Sequence, residues 1–331
     1  MKISKINIAF FIVGVAAFSY LLYQLSLEQF VLNVQRAGLS LLYVILTWLV
    51  IYLLNTLAWK TVLGGIGNRL SFGRMFMITV SGFSINTVTP VLAVGGEPFR
   101  VKILAETLGT HRSISAVMLY RMVYFFGHMS SILAGIACGI ASLELFTALR
   151  LFLSVVFLGV SAAMLWALSI HKRGIFERLL LWTQRFSVLR RVFSALEKRR
   201  QALREMDSVL TDVYKNKRGK FYFSVFLEFV SRLLMALELY IILHGVGIDV
   251  GFAGALFLYA LYSILINLFF FIPLNLGIRE GGLMLGLQSL ALAPLLGVYV
   301  GIVIRIRDLF WIAIGLVMIL LTGQEKLKTQ E

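Results

Sequence analysis

The chain has 331 residues, of which 60% are hydrophobic and only 14% charged, with a net charge of +15 and a mean hydropathy of +0.90. A soluble domain carries about a quarter charged residues, so the composition excludes one and points to an all-α, polytopic membrane helix bundle. The long, unalternating apolar runs exclude a transmembrane barrel, which is built from short dyad-patterned strands. A single cysteine, Cys138, excludes an intrachain disulfide and a cysteine zinc cluster. The four histidines, at 111, 128, 171 and 244, are far apart and lack metalloprotease spacing. No metal and no cofactor is expected.

Lys2 and Lys5 precede an apolar run over 6–25. A run of about twenty residues is long enough to span a bilayer and longer than a signal-peptide core. It is read as an uncleaved first helix. Further spans are expected near 41–63, 75–94, 114–140, 149–170, 221–246, 252–273, 281–297 and 298–322. The total is about eight spans plus one or two re-entrant or broken segments.

The first break reads Thr89-Pro90, three apolar residues and a valine, then Gly95-Gly96-Glu97-Pro98-Phe99-Arg100. The second reads Ile272-Pro273-Leu274-Asn275-Leu276-Gly277-Ile278-Arg279-Glu280-Gly281-Gly282. Both run Pro, Gly, Glu, with the Glu seven residues after the Pro. In lipid a helix is interrupted only where the freed backbone groups find partners in protein or in a polar cavity. Paired interruptions in the two halves of a membrane chain point to a transporter's central site and to a possible inverted repeat. Pro90, Gly95, Gly96, Pro273, Gly277 and Gly281 are therefore the expected backbone breaks.

Between the halves, 171–220 carries fourteen Lys and Arg against five acids. Nucleic-acid binding is the tempting reading of such a run. In a membrane chain the excess of cations on cytoplasmic segments explains it better, and no nucleic-acid partner is expected. Leu189, Val192, Phe193, Leu196, Leu203, Met206 and Leu210 recur at helical spacing among the cations. That pattern suits a helix on the inner leaflet or a cap on the cytoplasmic mouth of the bundle. The chain is thus read as one membrane domain, 1–331, with 171–220 a basic cytoplasmic loop between two halves. Loop 60–74 and segment 97–112 are also basic and belong on the same side. They can do so only if 75–96 dips into the membrane and returns. The segment 265–285 is either a matching re-entrant hairpin or a tight turn between two spans. The N-terminus falls inside.

The two motifs resemble the two signatures of the lysylphosphatidylglycerol synthase transmembrane-region family, also called flippase-like. The first has Gly95-Gly96-Glu97-Pro98 and Arg100 after an upstream proline; the second has Pro273, then Gly277 and Arg279-Glu280-Gly281. The resemblance covers nearly the whole chain. Some members of that family carry a soluble aminoacyl transferase, but here no segment is large enough to fold as one. The resemblance implies a stand-alone member in the cytoplasmic (inner) membrane. Such a member would move an anionic, aminoacylated or polyprenyl-linked lipid, with membrane lipids and a separate soluble or membrane synthase as its partners. A membrane-embedded lipid aminoacyl- or glycosyltransferase, or a non-catalytic subunit of one, is the alternative.

Charged residues inside a membrane are costly and mark function. Glu97, Arg100, Arg121, Arg279, Glu280, Asn86 and Asn275 are the expected substrate-binding residues, and no catalytic residue is assigned. Arg121 and His128 share one helix face. Glu228 and Arg232, at i,i+4, read as a structural ion pair. Glu238 has no partner within a turn and must pair across helices or be protonated. Arg305 and Asp308 have the spacing to pair at i,i+3, while Arg307 needs another partner. No Walker A sequence occurs, so ATP is not expected to drive movement directly.

Overall fold

The computed structural model describes Gln35 and residues 37–88, 95–171, 217–269 and 277–328. The expected first helix over 6–25, the basic loop over 172–216, and Pro90, Pro273 and Asn275 lie outside the described residues. Those described are helical, with no strand among them. The helices are α1 (Leu39–Leu63), α2 (Phe72–Val88), α3 (Gly96–Leu108), α4 (Thr110–Ser142), α5 (Thr147–His171), α6 (Arg218–His244), α7 (Gly251–Leu268), α8 (Ile278–Ser289) and α9 (Leu296–Lys328), with a 3-10 turn at Gly64–Arg69. Four helices, Leu39–Leu63, Thr110–Ser142, Thr147–Trp166 and Gly251–Leu268, are long and apolar enough to cross a bilayer by length and composition alone. The helices α6 and α9, of 27 and 33 residues, are long enough but carry charges, among which Arg232 pairs with Glu228 and Arg307 with Glu238.

Each expected break is flanked by two antiparallel helices. The helix α2 is described as far as Val88, and the sequence continues into Thr89-Pro90, where proline disfavours helical geometry in the residue before it. The helix α3 then returns antiparallel to α2. Its start is tied to α2 by the Gly96 amide, which donates to Asn86 Oδ1 at 2.7 Å. Its end lies beside the start of α2, where Arg74 and Glu106 approach to 3.6 Å. The helices α7 and α8 repeat this arrangement. Gly282 packs on Tyr262, Gly286 on Leu258, and Gly254 near Leu290. The expected span over 281–297 is not one helix. The helix α8 has twelve residues, about 18 Å, and Pro294 with the positive-φ Ala291 turns the chain before α9 begins. The helices α7 and α8 are therefore antiparallel, a long arm against a short one.

The two quartets α1–α4 and α6–α9 match arm for arm. Their lengths are 25, 17, 13 and 33 residues against 27, 18, 12 and 33. Their packing matches as well. Where α2 packs on α9, α7 packs on α4; where α3 packs on α4, α8 packs on α9; where α6 packs on α4, α1 packs on α9. The helices α1 and α6 pack on each other and run antiparallel, with Trp48 against Glu238 and Gly64 against Lys220. Two equivalent units in opposite orientation form an inverted repeat.

One end of the bundle gathers Lys60, Arg69, Arg74, Arg112, Lys217 and Lys220. Lys60 donates to Leu70 O, and Trp59 to Ala116 O beside the start of α4. The other end gathers Ser40, Gly245, Gly254 and Leu290. The first hairpin enters from the basic end and the second from the opposite end. On α9 they draw level. Ser84 of the first hairpin donates to Trp311 O at 3.1 Å, and Arg279 of the second pairs with Asp308 at 2.8 Å. Three residues of helix are about 4.5 Å.

Candidate functional site: two ion-pair networks at the hairpin tips

At the first tip, Glu97 lies in the first turn of α3, where a carboxylate meets the positive end of the helix dipole. Its Oε1 accepts from Asn86 Nδ2 at 3.2 Å and from Arg100 Nη1 at 3.3 Å, and pairs with Arg121 Nη2 of α4 at 2.6 Å. Glu97 Oε2 is buried without a partner. Asn86 thus clamps both the start of α3 and its acid. Arg100 is almost wholly buried, at 1% exposure. It donates to Thr79 O at 3.4 Å, and its guanidinium stacks over Phe83 at 4.7 Å, with Trp59 and Tyr120 further off at 5.6 and 5.7 Å. An aromatic box suits an arginine because the ring faces replace part of its hydration. The close approach of α2 and α3 requires glycine at 96, where a Cβ would meet the Gly82 carbonyl.

At the second tip, Gly277 sits at φ +77°, a conformation open to glycine at little cost. Glu280 folds back so that its Oε2 accepts the Gly277 amide at 3.1 Å. Its Oε1 accepts from Arg305 Nε at 2.8 Å, with Arg305 Nη2 at 2.7 Å. Arg279 bonds Asp308 at 2.8 Å; Asp308 holds Arg307 at 2.6 Å; Arg307 grips Glu238 through Nε at 2.9 Å. Trp48 closes the chain, donating to Glu238 at 2.9 Å while its ring lies 3.8 Å from the Arg307 guanidinium. Gly281 lies inside the first turn of α8 with open space beside it.

The sequence-expected residues fall into two groups. Asn86, Glu97, Arg100 and Arg121 meet at the first tip; Arg279 and Glu280 meet at the second with Arg305, Arg307 and Asp308. Arg305 does not take the expected i,i+3 bond to Asp308. It reaches across to α8, and Asp308 serves Arg279 and Arg307 instead. Glu238 pairs across helices, as its isolation requires. Glu228 and Arg232 pair at 3.2 Å, both buried, and Arg232 stacks on Tyr124 at 4.2 Å. His128, sharing a helix face with Arg121, meets Tyr259 at 3.1 Å and Asn267 at 3.0 Å.

Sequence reasoning passed over Trp48, Thr79, Tyr120, Tyr124 and Asp308 as site residues. For the tyrosines a signal existed, since Tyr120, Tyr124 and His128 are spaced at i,i+4 on one face of an apolar helix. Trp48 and Thr79 carry none, because Trp48 acts on a helix far along the chain and Thr79 acts through its backbone carbonyl.

Over residues 6–315 the chain matches the family described as the lysylphosphatidylglycerol synthase TM region. It is also similar to a UPF0104 membrane protein of Methanothermobacter thermautotrophicus, 27% identical over 257 residues, 73% of this chain and 71% of that protein. No solved structure matches it. With the two signature motifs standing at the tips of two oppositely directed hairpins in an all-helical membrane bundle, the chain belongs to the lysylphosphatidylglycerol synthase TM region family.

Proposed function

We propose that this membrane protein moves an anionic, aminoacylated or polyprenyl-linked lipid headgroup across the cytoplasmic (inner) membrane, passing it between the two hairpin tips. One observation carries the reading. Two equivalent Glu–Arg pairs, Glu97–Arg121 and Glu280–Arg305, stand at the tips of hairpins entering from opposite ends of an inverted repeat. Membership of a membrane family named for a lipid synthase supports a lipid as the cargo. An intramembrane charge is retained for a ligand or a pathway. A headgroup phosphate suits Arg100, Arg121, Arg279 and Arg305, because a guanidinium fork matches phosphate oxygens. An aminoacyl amine suits Glu97, whose second oxygen has no partner. Opening one Glu–Arg pair while its counterpart stays closed exposes the headgroup path to one leaflet at a time. The basic end faces the cytoplasm by the excess of cations there.

The test is a density map of the protein in nanodiscs containing phosphatidylglycerol. The reading expects a headgroup between the hairpin tips, within hydrogen-bond reach of Arg100, Arg121 or Arg279. Lipid only on the outer belt of the bundle contradicts it.

A further inference from the structure

Buried polar atoms almost always have partners, so those without one call for an explanation. Seven side-chain atoms among the described residues are buried and unpartnered. Five belong to residues on α3, α4 and α6: Glu97 Oε2, Arg100 Nε, which lies against Gly82 of α2, Tyr120 Oη, Glu228 Oε1 and Arg232 Nε, with Tyr120 and Glu228 turned toward each other. A sixth, Asn55 Oδ1, is on α1. The antiparallel pairing of α1 with α6, pinned by Trp48–Glu238 and by Gly64–Lys220, brings it level with Arg232. Glu228 and Tyr120 are fully buried, Arg100 and Arg232 nearly so.

The cluster is continuous. Glu97 holds Arg100 at 3.3 Å; Arg100 lies over Tyr120; Tyr120 faces Glu228, and Glu228 holds Arg232 at 3.2 Å. Gly127 lets α6 approach closely beside Glu228. Every element around Glu228 is accounted for. Glu228 meets Tyr120 of α4 and Arg100 of α3; its partner Arg232 meets Tyr124 and His128 of α4 and Tyr259 of α7; and α1, which packs on α6, carries the uncharged Asn55 and Trp59. On α9 the charged Arg307 is engaged by Glu238, ten residues along α6, about 15 Å away.

We propose that Glu228 is a proton-binding site that couples headgroup passage at Glu97 to proton movement. This rests on the transport reading above. Its Oε1 takes up a proton as the carboxylate becomes a carboxylic acid, and gives it back on release; no other bond is made or broken. Tyr120, facing Glu228, and Arg100, which lies over Tyr120 and is held by Glu97, connect Glu228 to Glu97, and the donors and acceptors there suit bridging water. The charge balance sets the coupling. Three arginines (100, 121, 232) against two glutamates (97, 228) leave one net positive charge. Protonation of Glu228 makes it two and frees Arg232 from its counterion, so an anionic headgroup binds better with the proton than without it. Proton and anionic lipid then travel in the same direction.

Two measurements test this. In phosphatidylcholine vesicles carrying labelled phosphatidylglycerol, an imposed pH gradient is expected to drive net lipid movement with the proton in wild type. In Glu228→Gln the lipid distribution is expected to ignore the gradient. A wild-type distribution that ignores the gradient, while lipid still moves, overturns the proposal. Infrared difference spectra against pH read the site with no transport at all. A titrating carboxylic acid band is expected in wild type and in Glu97→Gln, and is expected to vanish in Glu228→Gln. If no lipid moves in any sample, the transport reading fails, and this band alone decides the proton site; its survival in Glu228→Gln overturns it. Should Glu228→Gln not fold, Tyr120→Phe keeps the acid and is expected to shift the band's midpoint pH. An unmoved midpoint overturns the link.

Discussion

Glu97 on α3 and Arg121 on α4 close to 2.6 Å, and the inverted half of the bundle holds the equivalent contact between Glu280 on α8 and Arg305 on α9 at 2.7 Å. Each joins the short arm of a hairpin to the long helix that follows it. Equivalent positions predict equivalent consequences. Losing a charge-assisted hydrogen bond costs roughly 1.5–3 kcal/mol, so Glu97→Gln and Glu280→Gln are each expected to slow lipid transfer by about tenfold or more. Initial rates in reconstituted vesicles check this. A loss in one variant with none in the other removes the equivalence.

The buried pair Glu238–Arg307 predicts a stability effect. Glu238 is 1% exposed and holds Arg307 and Trp48. Removing one partner of a buried pair costs about 3–5 kcal/mol where the other charge is left uncompensated, and toward the low end here because Arg307 keeps Asp308 at 2.6 Å. Glu238→Ala is expected to lower the melting temperature strongly. The double change with Arg307→Ala is expected to cost less than the sum of the singles, as measured by thermal unfolding of purified protein.

Gly96 and Gly281 belong to the two motifs but differ in surroundings. A Cβ at 96 runs into the Gly82 carbonyl, while one at 281 meets nothing within 4 Å. Gly96→Ala is expected to force the hairpin apart and to reduce the folded yield and melting temperature. Gly281→Ala is expected to be neutral or to stabilise α8 by up to ~1 kcal/mol, since alanine is the better helix former. Size-exclusion profiles of the two variants after heating separate these outcomes.

The breaks were legible in the sequence because proline and glycine act locally. Gly277, at φ +77°, caps α8 as the glycine of the second motif suggests. The break at 290–295 was missed by treating 281–297 as one apolar run despite Pro294, since apolarity measures lipid compatibility and not backbone continuity. The ion-pair partners were illegible for another reason. Glu238 and Arg307 are 69 residues apart, and Arg305 had a plausible partner in Asp308 one turn away that it does not take. The paired motifs hinted at the repeat, but its helices share length and packing rather than residues. At the equivalent tips, Glu97-Pro98 stands against Glu280-Gly281.

The sidedness proposed from the clustered cations is open to a labelling test. In a Cys138→Ala background, single cysteines at the exposed positions 65 and 111 are expected to react only with reagent that reaches the cytoplasm. Cysteines at the exposed positions 144 and 249 are expected to react with impermeant reagent in intact cells. Labelling of position 111 from outside contradicts the re-entrant course of the first hairpin.

The central claim is lipid movement through the hairpin tips, and one measurement meets it most directly. Purified protein is reconstituted into vesicles with a labelled phosphatidylglycerol, an aminoacylated phosphatidylglycerol or a polyprenyl phosphate in turn. The fraction of label reached from the outer leaflet is followed over time. Wild type is expected to expose inner-leaflet label faster than empty vesicles for at least one lipid, and Arg279→Ala, though folded, is expected to fall to the empty-vesicle rate. Wild-type exposure no faster than empty vesicles for every lipid, or an Arg279→Ala rate equal to wild type, contradicts the account.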